Sequence, residues 1–350
     1  MAGARFATRI VSWQRQSGRH NLPWQTTADP YRVWLSEIML QQTQVATVID
    51  YYERFLARFP SVADLARADI DAVLALWAGL GYYARARNLH ACAQAVVQDH
   101  GGTFPNTSFA LQTLPGIGPS TAAAIAAFCY GERAAILDGN VKRVLCRHFG
   151  VEDDITKSAT INALWQLARD ELPAPAQLRR QPDTMSRYTQ GLMDLGATVC
   201  LQRQPKCGSC PVQTSCVAHQ SGDPQRLPVK QKRLRVKPTR DVELLWLSIG
   251  DHVLLEKRPP KGIWGGLWCL PTDIGLAKQW ALGTPQRMAS FAHELTHFKM
   301  VITPWRLELA THAGAWPEPL ANQCWVQTHR LADYGLPKPV RELLPSTTGR

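Results

Sequence analysis

The 350-residue chain carries 39 Lys and Arg against 28 Asp and Glu, a formal net charge of +11. With 45% hydrophobic and 19% charged residues it is not a disordered chain, and its length predicts two or three domains, each able to bury a core. No apolar run reaches the roughly 18 residues that span a bilayer, the first ten residues lack the apolar stretch of a secretory signal, and a pI near 9.4 favours a polyanionic partner such as nucleic acid or an anionic membrane face.

Residues 1–225 read as helical. Val33-Trp34-Leu35-Ser36-Glu37-Ile38-Met39-Leu40 places apolar residues at helical spacing around one carboxylate. Glu37 is either desolvated, which raises its pKa and suits a general acid, or lies on the wet face of an amphipathic helix. Val45 to Ile49, then Tyr52, Phe55 and Leu56, predict a second helix, and Val73, Leu74 and Trp77 a third between Asp71 and Ala78. Leu114-Pro115-Gly116-Ile117-Gly118-Pro119-Ser120-Thr121 joins a predicted helix, Ser108 to Thr113, to a small-residue helix, Ala122 to Phe128. Two glycines let this backbone approach a phosphate, and the second helix presents free N–H groups to it. Such a helix–hairpin–helix holds DNA backbone without reading sequence; the bland alternative is an ordinary turn capped by Ser120 or Thr121. In Ile136-Leu137-Asp138-Gly139-Asn140-Val141 an acid follows an apolar run and precedes glycine, a position where sites sit at the end of an element.

Four of nine cysteines cluster as C-x6-C-x2-C-x5-C: Cys200, Cys207, Cys210 and Cys216. Tight four-cysteine groups in intracellular chains are metal sites, not disulfide frameworks. Four thiolates suit zinc or an iron–sulfur cluster, and the single short knuckle favours a [4Fe–4S] cluster over zinc, which commonly pairs two. Cys92, Cys129, Cys146, Cys269 and Cys324 sit among apolar residues and read as buried small hydrophobes.

Residues 226–240 hold Arg226, Lys230, Lys232, Arg233, Arg235, Lys237 and Arg240, with no acid between Asp223 and Asp241 and prolines at 224, 228 and 238. This reads as a basic interdomain linker, lying along a phosphate backbone or simply solvated. Residues 241–350 read as strands with some helix. Val242 to Ile249, Gly250-Asp251 and Val253-Leu254-Leu255 form a strand–turn–strand signal. His293-Glu294-Leu295-Thr296-His297 spells a zinc-protease pattern, but that chemistry needs a helix. Phe298 to Thr303 predicts a strand ending at Pro304, so the match reads as chance.

Several stretches carry a resemblance: Leu22-Pro23-Trp24, Pro30 to Glu37, Met39 to Val45, Gly79 to Leu89, Ile136 to Val141, the hairpin, the four cysteines and Arg258 to Trp268. Together, over nearly the whole chain, they resemble the adenine DNA glycosylase family of the helix–hairpin–helix superfamily. The resemblance implies a mainly α N-terminal region, with a six-helix module at 22–131 and an iron–sulfur module from 1–21 and 132–225, followed by an α/β Nudix-like domain at 241–350. It implies a base-excision enzyme that removes adenine opposite 8-oxoguanine or guanine in double-stranded DNA, a monomer with a [4Fe–4S] cluster, in a bacterial cytoplasm at the nucleoid. Glu37 would protonate adenine N7, Asp138 would stabilise the sugar cation, and Asn140 would help position the pair. Leu22, Trp24 and Gln190 match residues around the extruded purine, and Gln42 and Tyr82 the wedge beside the opposite base. Leu114, Gly116, Gly118 and Ser120 belong to the DNA-gripping hairpin. Related endonuclease III-type enzymes place a lysine at Ser120, and a hydroxyl cannot form a Schiff base, so the resemblance predicts a monofunctional enzyme over a glycosylase with lyase activity. The other rival is a non-catalytic iron–sulfur DNA-binding protein. No Glu lies between Glu256 and Glu294, so the Nudix-like domain is not expected to hydrolyse nucleotides. Leu295, Thr296 and His297 occupy the lesion-sensing loop, where the family commonly has Phe-Ser-His; the aromatic is lost here.

Overall fold

The structure, a computed structural model, describes residues 2–231, 237–295, 297–310 and 316–344. Two compact units form: Met1–Ala66 with Ala91–Arg233, and Arg67–His90 with Leu234–Arg350. In chain order the first twelve α-helices are α1 (Ala2–Ser17), α2 (Pro30–Met39), α3 (Val45–Arg58), α4 (Val62–Arg67), α5 (Ile70–Trp77), α6 (Ala84–His100), α7 (Ser108–Leu111), α8 (Pro119–Tyr130), α9 (Gly139–Phe149), α10 (Ser158–Asp170), α11 (Pro175–Arg180) and α12 (Thr184–Asp194). No helix among the described residues is long and apolar enough to cross a membrane.

In the first unit α2 and α9 start for local reasons. Asp29 caps α2 by accepting from the Tyr31 N–H at 2.9 Å, with Pro30 in the first helical position. Asp138 caps α9 by accepting from Val141 N–H at 2.8 Å, and α9 stops at Gly150, whose φ of 69° few side chains tolerate. α8 buries six consecutive small or aliphatic residues, Ala122 to Ala127. Such a surface lets α2 and α12 lie close against it. α1 also packs on α12, where a Cβ on Gly191 would meet Ile10 Cγ2 at 2.7 Å. One core joins α1, α8, α9, α10 and α12 through Ile10, Ala124, Leu145, Leu164 and Leu192.

α7 ends two residues earlier than the sequence predicts. Thr113 Oγ donates to the Ala110 carbonyl at 2.8 Å, competing with the helix ladder, and Pro115 disfavours a helical Leu114.

In the second unit a seven-stranded mixed sheet forms from β1 (Thr239–Ile249), β2 (His252–Lys257), β3 (Trp268–Cys269), β4 (Gln286–Arg287), β5 (Phe291–Glu294), β6 (Lys299–Leu309) and β7 (Gln323–Gln327). The order is β3-β2-β1-β6-β4, with β5 on β6 and β7 on β2. β1 and β2 make the expected hairpin, Ser248 opposite Val253. β1 and β6 are parallel from Thr239↔Lys299 to Ile249↔Leu309. Alternation along β1 sends Leu244 to one core and Leu245 and Leu247 to the other, so both faces are covered. β6 does not stop at Pro304. That residue falls between the segments paired with β5 (299–302) and β4 (305–306), where its missing N–H interrupts no ladder, and its carbonyl accepts from Met288 N–H.

Residues 67–90, expected with 22–131, pack here with the C-terminal residues. Asp71 on α5 accepts from Lys257 Nζ at 2.8 Å and Trp268 Nε1 at 3.0 Å, and Arg87 donates to the Gly265 carbonyl at 2.6 Å. The basic segment is tethered at both ends. Arg226 pairs with Glu152, the Ile155 N–H donates to Val229 O at 3.0 Å, and Arg240 stacks on Phe298. Lys232, Arg233 and Arg235 lie outside the described residues.

Candidate active site

A cavity of about 370 Å³ opens in the first unit, within the size range of small-molecule sites. Trp24, Glu37 and Gln190 line it together with Arg19, Gln25 and Phe128. Trp24 belongs to a single helical turn, Pro23–Gln25, closed by the Leu22 N–H on Gln25 Oε1 at 3.2 Å. Leu22 and Trp24 are both buried, and the Trp24 ring packs edge-on against Tyr52 at 5.4 Å.

Glu37 sits on the cavity side of α2, one residue from the buried Ser36 and Ile38. No hydrogen bond within the protein reaches its carboxyl among the described residues. Desolvation, and secondly the nearby charge of Asp138, push its pKa up to about 8. Burial also raises Asp138. Its carboxylate is held back toward the ionised form by the N–H groups of Val141 and Asn140 at the start of α9 and by Arg143 and Lys142. Two neighbouring carboxyls thus differ: one has no donor, the other has a helix N-terminus.

Asn140 Oδ1 accepts from Arg143 Nη2 at 2.8 Å; the same guanidinium donates to Gly196 O at 2.7 Å and Cys200 O at 2.7 Å. A Cβ on Gly196 would lie 2.5 Å from Asn140 Cβ. Gly196→Ala is therefore expected to cost about 1–3 kcal/mol through overpacking, read in a thermal melt, and to displace Asn140. The Arg143 clamp and Gly196 were not legible as site residues, because Gly196 reaches Asn140 only through the fold.

In the hairpin, Leu114 is buried and its carbonyl accepts from Ile117 N–H at 3.2 Å. Gly116 has a φ of 76°, and Gly118 caps α8 in an extended conformation. Ser120 Oγ accepts from Leu137 N–H at 3.1 Å, which ties α8 to the residue before Asp138. Gln42, exposed in the first unit, has a φ of 59°; Tyr82, exposed in the second, has a φ of 49°. Both are left-handed non-glycine residues, a strain of about 1–3 kcal/mol each that clusters at functional positions.

The four clustered cysteines line one small cavity with Arg147. Arg147 is buried; it donates to Cys200 Sγ at 3.4 Å and to the carbonyls of Leu201 at 2.6 Å, Gln202 at 3.1 Å and Leu227 at 2.9 Å. Burial pushes the Cys210 thiol up to about 12, and neighbouring thiol charges add to the rise. No three His, Cys, Asp or Glu side chains among the described residues form a site for a single metal ion. Of the remaining cysteines, Cys92, Cys146 and Cys269 are buried as expected, while Cys129 and Cys324 are half-buried.

His293 and Glu294 end β5, and Leu295 N–H donates to Phe298 O at 3.0 Å to turn into β6. The zinc-protease pattern is thus a hairpin, without the helical face it needs. Leu295 is half-buried against the sheet core and His297 is exposed. Thr296 lies outside the described residues.

Residues 35–170 match the model of the HhH-GPD superfamily of base excision DNA repair proteins, and residues 244–346 match the NUDIX domain. The adenine DNA glycosylase of Buchnera aphidicola subsp. Baizongia pistaciae (strain Bp) is 34% identical over 97% of this chain and 95% of its own. The adenine DNA glycosylase of Rattus norvegicus is 46% identical over 87% of this chain and 70% of its own. A thermostable thymine-DNA glycosylase structure aligns with a TM-score of 0.54 at 28% identity, over 63% of this chain and 98% of its own. A non-covalent endonuclease III–DNA complex shares the fold, with a TM-score of 0.51 and 18% identity over 62% and 94%. The protein is accordingly a DNA glycosylase of base excision repair, with DNA as its substrate and a Nudix-like C-terminal domain. Within that class the chain belongs to the adenine DNA glycosylase family.

Proposed function

We propose that this enzyme hydrolyses the N-glycosidic bond of adenine mispaired with 8-oxoguanine or guanine and leaves an abasic site. The observation that carries this reading is Glu37, a carboxyl on a base-sized cavity whose pKa of about 8 keeps it protonated at neutral pH. Adenine must leave the duplex stack to enter such a cavity. Glu37 gives its proton to N7, and the weakened bond breaks with its electron pair going to the base. Asp138, ionised at the start of α9, stabilises the cation left on the sugar. Water adds to the sugar carbon and its proton returns to Glu37. Asn140, clamped by Arg143, orients this pair. Leu22, Trp24 and Gln190 hold the base, Gln42 and Tyr82 fill the gap it leaves, and Leu114, Gly116, Gly118 and Ser120 hold the phosphate chain. Leu295, Thr296 and His297 belong to reading of the opposite base, a role of residues 241–350, while residues 1–225 carry the chemistry. The working form is a monomer in the bacterial cytoplasm, at the nucleoid.

Single-turnover excision from duplexes with adenine opposite 8-oxoguanine, guanine or thymine tests this. Fast excision from the first two and slow excision from the third is expected; equal rates would remove mispair specificity. Borohydride added to the same reactions is expected to capture little covalent complex, because Ser120 has no amine and its oxygen is committed to Leu137. Efficient capture that persists when Lys142 is replaced would make the enzyme bifunctional.

Cys200, Cys207, Cys210 and Cys216 suit a [4Fe–4S] cluster: four thiols surround a cavity, and a buried guanidinium faces one sulfur. A bound cluster would cross-link the 200–216 loop. Purified protein is expected to be brown with about four irons per chain; colourless, iron-free protein that still folds and binds DNA would refute it.

A further inference from the structure

A fully buried carboxylate stands directly behind the cavity and takes no part in the steps above. Asp194, the last residue of α12, has no exposed side-chain surface. It accepts three hydrogen bonds: Arg19 N–H on Oδ2 at 2.9 Å, Arg19 Nε on Oδ1 at 2.6 Å, and Gln190 Nε2 on Oδ1 at 2.8 Å. Arg19 and Gln190 both line the cavity.

The partners leave the Gln190 amide one orientation. Arg19 Nε can only donate, so Asp194 Oδ1 is an acceptor, and the atom of Gln190 that faces it must be the amide nitrogen. The carbonyl oxygen is what remains for the cavity, and it accepts from no protein donor among the described residues. Gln25 is locked the opposite way round. Its oxygen accepts from the Leu22 N–H, so its nitrogen is left over, buried on the cavity lining with no partner. A buried donor without a partner is costly unless a ligand supplies an acceptor.

We propose that Asp194 is a positioning residue that sets the base specificity of this cavity: by holding Gln190 with its oxygen toward the bound base, it selects a 6-aminopurine and rejects a 6-oxopurine. The exocyclic amine of adenine donates to Gln190 Oε1, and an unprotonated ring nitrogen accepts from Gln25 Nε2. Hypoxanthine instead brings a carbonyl oxygen against an oxygen that cannot turn away, because turning would set the Gln190 carbonyl against Asp194. The charge of Arg19 keeps the buried carboxylate paired, and so keeps the lock in one state. The sequence carries a trace of this, since Gln190 and Asp194 stand four apart on one helix face.

The proposal rests on the functional reading above, and one experiment separates the two. The full-length protein and Asp194→Leu, which has a similar shape and no acceptor for Gln190, are compared in single-turnover excision of adenine, hypoxanthine and unsubstituted purine, each opposite 8-oxoguanine. A parent that does not excise adenine defeats the functional reading itself. With an active parent, Asp194→Leu is expected to lower the adenine-to-hypoxanthine rate ratio by about tenfold or more, the worth of one buried hydrogen bond. Purine, which has no 6-amine, is expected to slow far less than adenine. If all three bases slow by the same factor, Asp194 is merely structural and the proposal falls. Should Asp194→Leu fail to fold in a thermal melt, Gln190→Leu reads the same contact: adenine is expected to lose about tenfold relative to purine, and equal losses overturn the assignment.

Discussion

Glu37→Gln is expected to slow single-turnover excision about 10³-fold or more, in the upper part of what general acid catalysis contributes. Glutamine fits the same volume on α2 and keeps the cavity, but has no proton to give the leaving base. The pH profile should carry the same signature. In the parent the rate falls as pH rises through about 8, where Glu37 loses its proton, and at low pH it falls as Asp138 is neutralised, above the ordinary aspartate range because Asp138 is buried. The two limbs belong to the coupled pair. The substitution has the opposite effect on stability. Glu37 holds its proton more tightly folded than unfolded, so its cost is absent below the unfolded value of 4.5 and complete above about 8. Glu37→Gln should therefore melt at a higher temperature than the parent at pH 8 and above, with the difference vanishing toward pH 4.5. An active variant, or one without this pH-dependent gain, would remove Glu37 from the role of a desolvated acid.

Asp138→Asn is expected to cost about 10³-fold in the same assay while leaving the fold nearly intact. Asparagine caps a helix about as well as aspartate, so the bond to Val141 N–H survives; the lost charge at the start of α9 costs about 1 kcal/mol or less. What disappears is the anion facing the developing sugar cation. Asp138 is the second cause of the raised Glu37 value, after burial. Its removal should therefore move the alkaline limb of any residual activity to lower pH without returning it to the ordinary glutamate range. A fully active Asp138→Asn, or an alkaline limb that stays in place, would separate the two carboxyls. Both measurements need circular dichroism beside them, to show that the helical unit is intact.

Local rules in the sequence account for much of what the structure contains. Apolar spacing around Val33 and Trp34 predicts α2, and the Gly250-Asp251 turn predicts the β1–β2 hairpin, because helices and tight hairpins depend on neighbours. Parallel pairing of β1 with β6, some 60 residues onward, could not be read this way, since crossover connections leave no mark on either strand. Pro304 shows the same limit from the other side. A proline is a sound stop signal until the strands on the edge away from β1 leave a gap at that residue. Likewise α5 has an amphipathic pattern that says only that it packs, and Asp71 finds Lys257 and Trp268 far along the chain.

The sequence alone therefore determined which reactive groups the chain brings: a glycine hairpin, four closely spaced thiols, and Glu37 and Asp138 in their motifs. These are short-range patterns, complete within a few residues. The tertiary structure alone decided the state of those groups. Sequence left Glu37 either wet or desolvated; burial on the cavity beside Asp138 makes it an acid that holds its proton at neutral pH. Gln190 was a residue near the base; Arg19, 175 residues from Asp194, settles which end of its amide is turned to the cavity. Protonation and hydrogen-bond polarity depend on what surrounds a group in space, and folding sets those surroundings from distant parts of the chain.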